Sequence, residues 1–171
     1  MAPSTHDSTR PDAPDPYAER TTDPYAETKA PAPSTVGEVA VRYSAPGDEL
    51  QRLVERAREG VSVDAFFDLA RVTGLTRDEL AGLLGVSYKT IQRYEADGRL
   101  LGAALSEHLF RLIRTFHAGE RVFGGQKAFG SWLRKPSAGL TGLVPFECLQ
   151  TPAGVDLVLE ELLRIAHGVV S

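Results

Sequence analysis

Cys148 is the only cysteine in the 171-residue chain, so no intramolecular disulfide can form and a reducing cytoplasm is the expected setting. No apolar run approaches the ~18 residues that a membrane span requires. No apolar core follows Met1, so the N-terminus does not read as a signal peptide. The net charge of −4 excludes a histone-like protein that holds nucleic acid by bulk charge. Neither of the two common glycine-rich phosphate loops is present. The four histidines, His6, His108, His117 and His167, lack metal-ligand spacing among themselves or with Cys148. Glu160 and Glu161 are adjacent and so point in different directions on a helix, a poor arrangement for an acid–base pair. Cys148 precedes Leu149 on a short apolar stretch and reads as a core thiol rather than a nucleophile. With no constellation for catalysis and no site for a cofactor or metal, a binding protein is expected rather than an enzyme.

Large aliphatic residues are nearly absent before Val36, while eight of the eleven prolines lie between Pro3 and Pro46. Such a segment cannot bury enough surface to offset chain entropy, so residues 1–45 are expected to be a disordered tail. The tail repeats itself once, as Asp15-Pro16-Tyr17-Ala18-Glu19 and Asp23-Pro24-Tyr25-Ala26-Glu27, either a tandem linear motif or a slippage duplication. Val36 to Tyr43 alternates enough to suggest a short edge strand.

Beyond Pro46 the apolar period is helical. Leu50, Leu53, Val54 and Ala57 fall at i, i+3, i+4 and i+7, and Gly60 closes that helix. Ser62 is placed to cap a second helix carrying Val63, Phe66, Phe67 and Ala70. Thr76 and Glu79 have the spacing of a capping box. Ser87 caps a helix from Tyr88 to about Asp97, and a longer one is expected from about Ala103 to Phe123. After Gly124-Gly125 comes a short helix with Ala128, Phe129, Trp132 and Leu133, in which Trp132 is the expected anchor of the core. Pro145 begins another, and Thr151-Pro152 is a cap followed by proline at the first helical position. The last helix shows a wide apolar face of Val155, Val158, Leu159, Leu162, Leu163 and Ala166. No convincing strand pattern appears in this part. The predicted fold class is all-α.

Residues 75–95 are the most informative stretch. Two short helices meet at Gly85-Val86-Ser87, with Ala81 small enough for close approach and Val86, Ile91 and Tyr94 holding the second helix to the core. That is the layout of a helix-turn-helix. The second helix displays Tyr88, Lys89, Thr90, Gln92 and Arg93, side chains suited to base edges and phosphates in a major groove. With Arg77 and Ser87 they form the candidate DNA-binding set. A plain helical hairpin with a solvated polar face is the alternative, in which Tyr88 packs and Arg77 at most meets phosphate. Residues 102–135 hold six bases against two acids, and residues 136–171 four acids against Arg164 alone. That asymmetry fits two different partners or merely two solvated faces.

In these residues the chain resembles the Xre/MbcA/ParS family of antitoxins that pair with RES-domain toxins. The resemblance spans residues 60–171. Its first half rests on Leu80-Ala81, Leu84-Gly85-Val86, Thr90-Ile91, Arg93, Gly98-Arg99-Leu100 and Arg111-Leu112. Its second half rests on Val122-Phe123-Gly124, Trp132-Leu133-Arg134-Lys135-Pro136, Leu140, Gly142, Pro145, Leu149, Thr151, Gly154 and His167-Gly168-Val169. Two residues depart from it: Thr141 where a second glycine is common, and Tyr94 where a basic or polar residue is more usual.

With the helical period beginning at Pro46, the resemblance leads to an expected helix-turn-helix domain over residues 46–122 and a toxin-binding domain over residues 123–171. It implies a non-catalytic protein that represses its own operon at operator DNA and covers the active-site entrance of a toxin that consumes or uses NAD. Arg134, Arg164, His167, Gly168, Val169, Val170 and Ser171 are the expected toxin-binding residues, the last few as a short apolar end free to enter a pocket. A homodimer is expected, since helix-turn-helix proteins usually read paired half-sites. The alternative function is a stand-alone transcription regulator whose second domain dimerises or senses a ligand.

Overall fold

The computed structural model describes residues 31–43 and 50–168, with backbone alone for residues 50–52. Its helices are α1 (Val36–Tyr43), α2 (Leu50–Glu59), α3 (Asp64–Thr73), α4 (Arg77–Leu83), α5 (Tyr88–Ala96), α6 (Ala103–Phe123), α7 (Gln126–Leu133), a 3-10 turn (Ala138–Leu140), α8 (Pro145–Cys148) and α9 (Pro152–Ala166). Among the described residues there is no strand. One isolated antiparallel bridge pairs Val61 with Leu101, and Ser106 locks it by accepting from the Val61 N–H and donating to the Leu101 carbonyl.

Local signals set most of these boundaries. Thr76 and Glu79 form the reciprocal capping box at the start of α4, satisfying two otherwise orphaned N–H groups. Ser87 accepts from the Thr90 N–H at the start of α5, and Thr151 accepts from Gly154 ahead of Pro152. Ser62 sits one residue earlier than a regular cap, and its hydroxyl still receives the Asp64 N–H at 3.2 Å. Between α4 and α5, Gly85 takes φ +70°, a left-handed conformation that side chains with a Cβ resist.

The long helix α6 is the axis of the molecule. Leu109, Phe110, Leu112, Ile113 and Phe116 on it are all but inaccessible, so it is apolar on several sides rather than along one stripe, as a central helix must be. Helices α1, α2, α3, α7 and α9 all pack on it, and residues 32–171 make one compact unit. His108 is buried in α6 and its Nε2 lies 2.9 Å from the Leu149 carbonyl oxygen, tying the axis to the end of α8.

Two expectations need correction. Val36 to Tyr43 is a helix, not an edge strand, so the segment 1–45 expected to be a disordered tail contains an ordered element; the repeated Asp-Pro-Tyr-Ala-Glu motif lies outside the described residues. Val36, Val39, Ala40 and Tyr43 recur at i, i+3, i+4 and i+7, and Val36 and Val39 are fully buried. The Thr35 hydroxyl and the Glu38 carboxylate cap the start, and the Ser34 N–H holds the Glu38 carboxyl below its usual pKa. At the other end, the Tyr43 hydroxyl donates to Asp68 at 2.7 Å. Burial, with the Asp68 bond second, pushes the Tyr43 phenol up to about 12. The second correction concerns the aromatic cluster of the C-terminal half. Phe129 is its fully buried centre, edge-on to Phe116 and stacked with Phe123 and Trp132, while Trp132 is half-buried at the margin.

Candidate DNA-reading and partner-binding surfaces

Helices α4 and α5 are held to the core by Leu80, Ala81, Leu83 and Ile91, all with essentially no exposed surface. With Ile91 facing inward, Lys89, Gln92 and Arg93 fall on the outer face of α5 and are exposed. None of the three side chains makes a hydrogen bond, ion pair or ring contact with another described residue. Their donors remain available to a ligand. The four other residues of the candidate set are engaged within the fold. Tyr88 stacks on Phe66, and its hydroxyl receives the Arg77 guanidinium at 2.9 Å. That guanidinium also lies over the Phe67 and Tyr88 rings. Ser87 and Thr90 face each other across 3.0 Å at the cap. Arg77 and Tyr88 thus fix the angle between the two helices of the motif, and Lys89, Gln92 and Arg93 are presented from that frame. Tyr94 is half-buried under the Arg99 guanidinium, a packing position rather than a reading one.

Part of the basic surplus of residues 102–135 is engaged inside the molecule, while Arg121, Lys127 and Lys135 are exposed. Arg111 on α6 bonds Glu107 at 3.1 Å and Asp156 of α9 at 2.7 Å. Arg134 at the end of α7 bonds Glu79 of α4 at 3.0 Å and lies over the Phe146 ring of α8. Arg164 reaches the Gly139 carbonyl at 3.1 Å. Two of the residues expected to meet a toxin, Arg134 and Arg164, therefore have internal partners distant in sequence. His167 and Gly168 are exposed at the end of α9. Val169, Val170 and Ser171 lie outside the described residues.

Glu79 joins the two halves. Its carboxylate accepts from the Thr76 N–H at 2.8 Å and from Arg134. The Thr76 N–H, foremost, lowers its pKa; burial opposes it, and the Arg134 bond adds to the lowering. A carboxyl lowered on folding stabilises above its unfolded pKa, and that contribution fades as pH falls through the folded value. Replacing Glu79 with alanine is expected to cost about 1 kcal/mol near neutrality, the usual worth of a cap. The difference from the unsubstituted chain should shrink as urea melts are taken below about pH 4. A difference that stays constant to pH 2 would contradict the assignment.

Among the described residues, no helix is long and apolar enough to cross a membrane, and no group of three or more metal-ligating side chains comes together. Residues 52–114 match the model of the antitoxin Xre-like helix-turn-helix domain. Residues 118–168 match the antitoxin Xre/MbcA/ParS C-terminal toxin-binding domain. The chain is 29% identical over 121 residues to antitoxin Xre of Yersinia enterocolitica, covering 70% of this chain and 81% of that protein. Antitoxin Xre of Pseudomonas putida is 40% identical over 63 residues, 37% of this chain and 40% of that protein. The corresponding protein of Photorhabdus laumondii is 24% identical over 114 residues, 66% of this chain and 77% of that protein.

Proposed function

Because the chain belongs to the Xre/MbcA/ParS family of antitoxins, non-enzymatic proteins that join a helix-turn-helix to a toxin-binding domain, we propose that its toxin is of the RES-domain class and that it represses its own operon. In this reading the protein is a cytoplasmic homodimer that sets two α5 helices into successive major grooves of operator DNA. Lys89, Gln92 and Arg93 read the groove, while Arg77 and Tyr88 hold the helix angle and Ser87 and Thr90 cap the reading helix. The C-terminal half, from about Phe123 onward, covers the active-site entrance of the toxin. His167 and Gly168 lie at its contact edge, and Arg134 and Arg164 shape it from within.

The observation that carries this proposal is the division of labour along α6. One half of the compact unit presents three unemployed donors on a helix of groove width. The other half is the segment matched to a toxin-binding domain. Co-purification with a RES-domain protein encoded beside the chain's gene is the direct test. A stable complex whose toxin has lost NAD turnover is expected. A chain that binds operator DNA but never the adjoining gene product would favour a stand-alone regulator.

A further inference from the structure

The segment between α7 and α8 is short but heavily built. The Ser137 N–H donates to the Leu143 carbonyl at 3.0 Å, and the Gly142 N–H donates back to the Ser137 carbonyl at 2.9 Å. Within this ring, Leu140 donates to Ser137, Thr141 to Ala138 and Leu143 to Leu140. Ser137 and Leu140 are buried beneath it. Helix α9 pins it from the side, where Arg164 donates to the Gly139 carbonyl. Glu161 is only 7% exposed, and its carboxylate presses on the Gly139 backbone so closely that a Cβ there would overlap it. Arg164 Nη2 lies 2.7 Å from Glu161 Oε2, a direct charge contact, although that oxygen receives no aligned hydrogen bond.

Two features of this loop cost stability without a return in the fold itself. Thr141 holds φ +55°, a left-handed conformation unfavourable for a residue with a β-branched side chain. Leu143, where the loop closes on Ser137, keeps about half its surface in solvent. Apolar side chains held this rigidly in water resemble the pre-organised anchors of interfaces, because little conformational entropy remains to be lost on binding.

We propose that the loop Ser137–Leu143, pinned by Glu161 and Arg164, is a docking knob for the toxin, and that Leu143 is its anchor, entering an apolar socket on the toxin. The occupant follows from position, since the loop and α9 both lie within residues 118–168, the segment matched to a toxin-binding domain. The inference rests on the proposed function and adds to it the surface by which the toxin is held. Glu161 and Arg164 act as positioning residues. Their charges are spent on the loop backbone.

The test uses the full chain and, as probe, the adjoining RES-domain protein silenced by an active-site substitution, with affinity measured by calorimetry. Leu143→Asp is expected to weaken binding about 30-fold or more, the loss typical of an interface anchor. Operator binding and the melting temperature should be unchanged, because Leu143 is outside the buried core. Val41→Asp, at a site 70% exposed on α1, should leave toxin affinity unchanged. A Leu143→Asp chain that melts normally and binds within threefold of the unsubstituted one overturns the knob and leaves the functional reading intact. If the unsubstituted chain forms no complex with the probe, the functional reading falls and the knob falls with it.

Discussion

A chain beginning at Pro46 should unfold at a markedly lower urea concentration than the full chain, whereas one beginning at Ala32 should unfold with it. The difference between the two shortened chains is α1. Val36 and Val39 are fully buried, and burying a valine contributes roughly 1.5–3 kcal/mol. Stripping both therefore costs about 3–6 kcal/mol, before the Tyr43–Asp68 bond and the ion pair of Arg42 with the same carboxylate are removed as well. Against a total stability of roughly 5–15 kcal/mol, that is a large fraction and should move the unfolding midpoint well down. Helix α1 precedes both family-matched segments, yet it closes the core over α3 and α6. A Pro46 chain that fails to neutralise a toxin should therefore be checked for folding before the loss is assigned to a toxin-binding surface. Equal midpoints for the two shortened chains would show that α1 contributes nothing to the core.

Alanine at Lys89, Gln92 and Arg93 together should reduce operator affinity by about 100-fold or more, since a specific base contact is worth about 1–3 kcal/mol. Each phosphate that loses its cationic partner should also lower the salt dependence by roughly 0.9 log units per log of salt. The fold should be indifferent to the change. The three side chains bond to no other described residue, and alanine favours the helix. Toxin binding should likewise survive, since the C-terminal half is untouched. Gel shifts at two salt concentrations, with helicity checked by circular dichroism, would show unchanged operator affinity if another face meets the DNA.

The sequence disclosed the parts of the molecule that local chemistry determines. Thr76 with Glu79, Ser87, and Thr151 before Pro152 announce helix starts from their immediate neighbours, and all three caps are formed. Val36 to Tyr43 misled because valines at 36, 39 and 41 suit a strand as readily as a helix. Only the packing of Val36 and Val39 against the rest of the core decides between the two periods. Trp132 misled by size, for the cluster closes around Phe129, which sits opposite Phe116 on the axis. Arg164 has a local partner in Glu161, three residues earlier, but the distant partners of Arg134 and Arg164 gave no warning. Their partners Glu79 and Gly139 lie 55 and 25 residues away, brought near only when α4, α7, the loop and α9 have docked. Side chains picked from an amphipathic pattern therefore overstate the free surface, and the donors left over after packing are the more informative set.

Toxin silencing through the C-terminal half and DNA reading through α5 should be separable activities of one compact unit. Growth of cells expressing the adjoining RES-domain protein tests this most directly, with the chain and its Lys89→Ala/Gln92→Ala/Arg93→Ala variant each supplied from an unrelated promoter. Both are predicted to restore growth, although only the unsubstituted chain should shift operator DNA. Failure of the soluble, folded chain to restore growth would contradict the account.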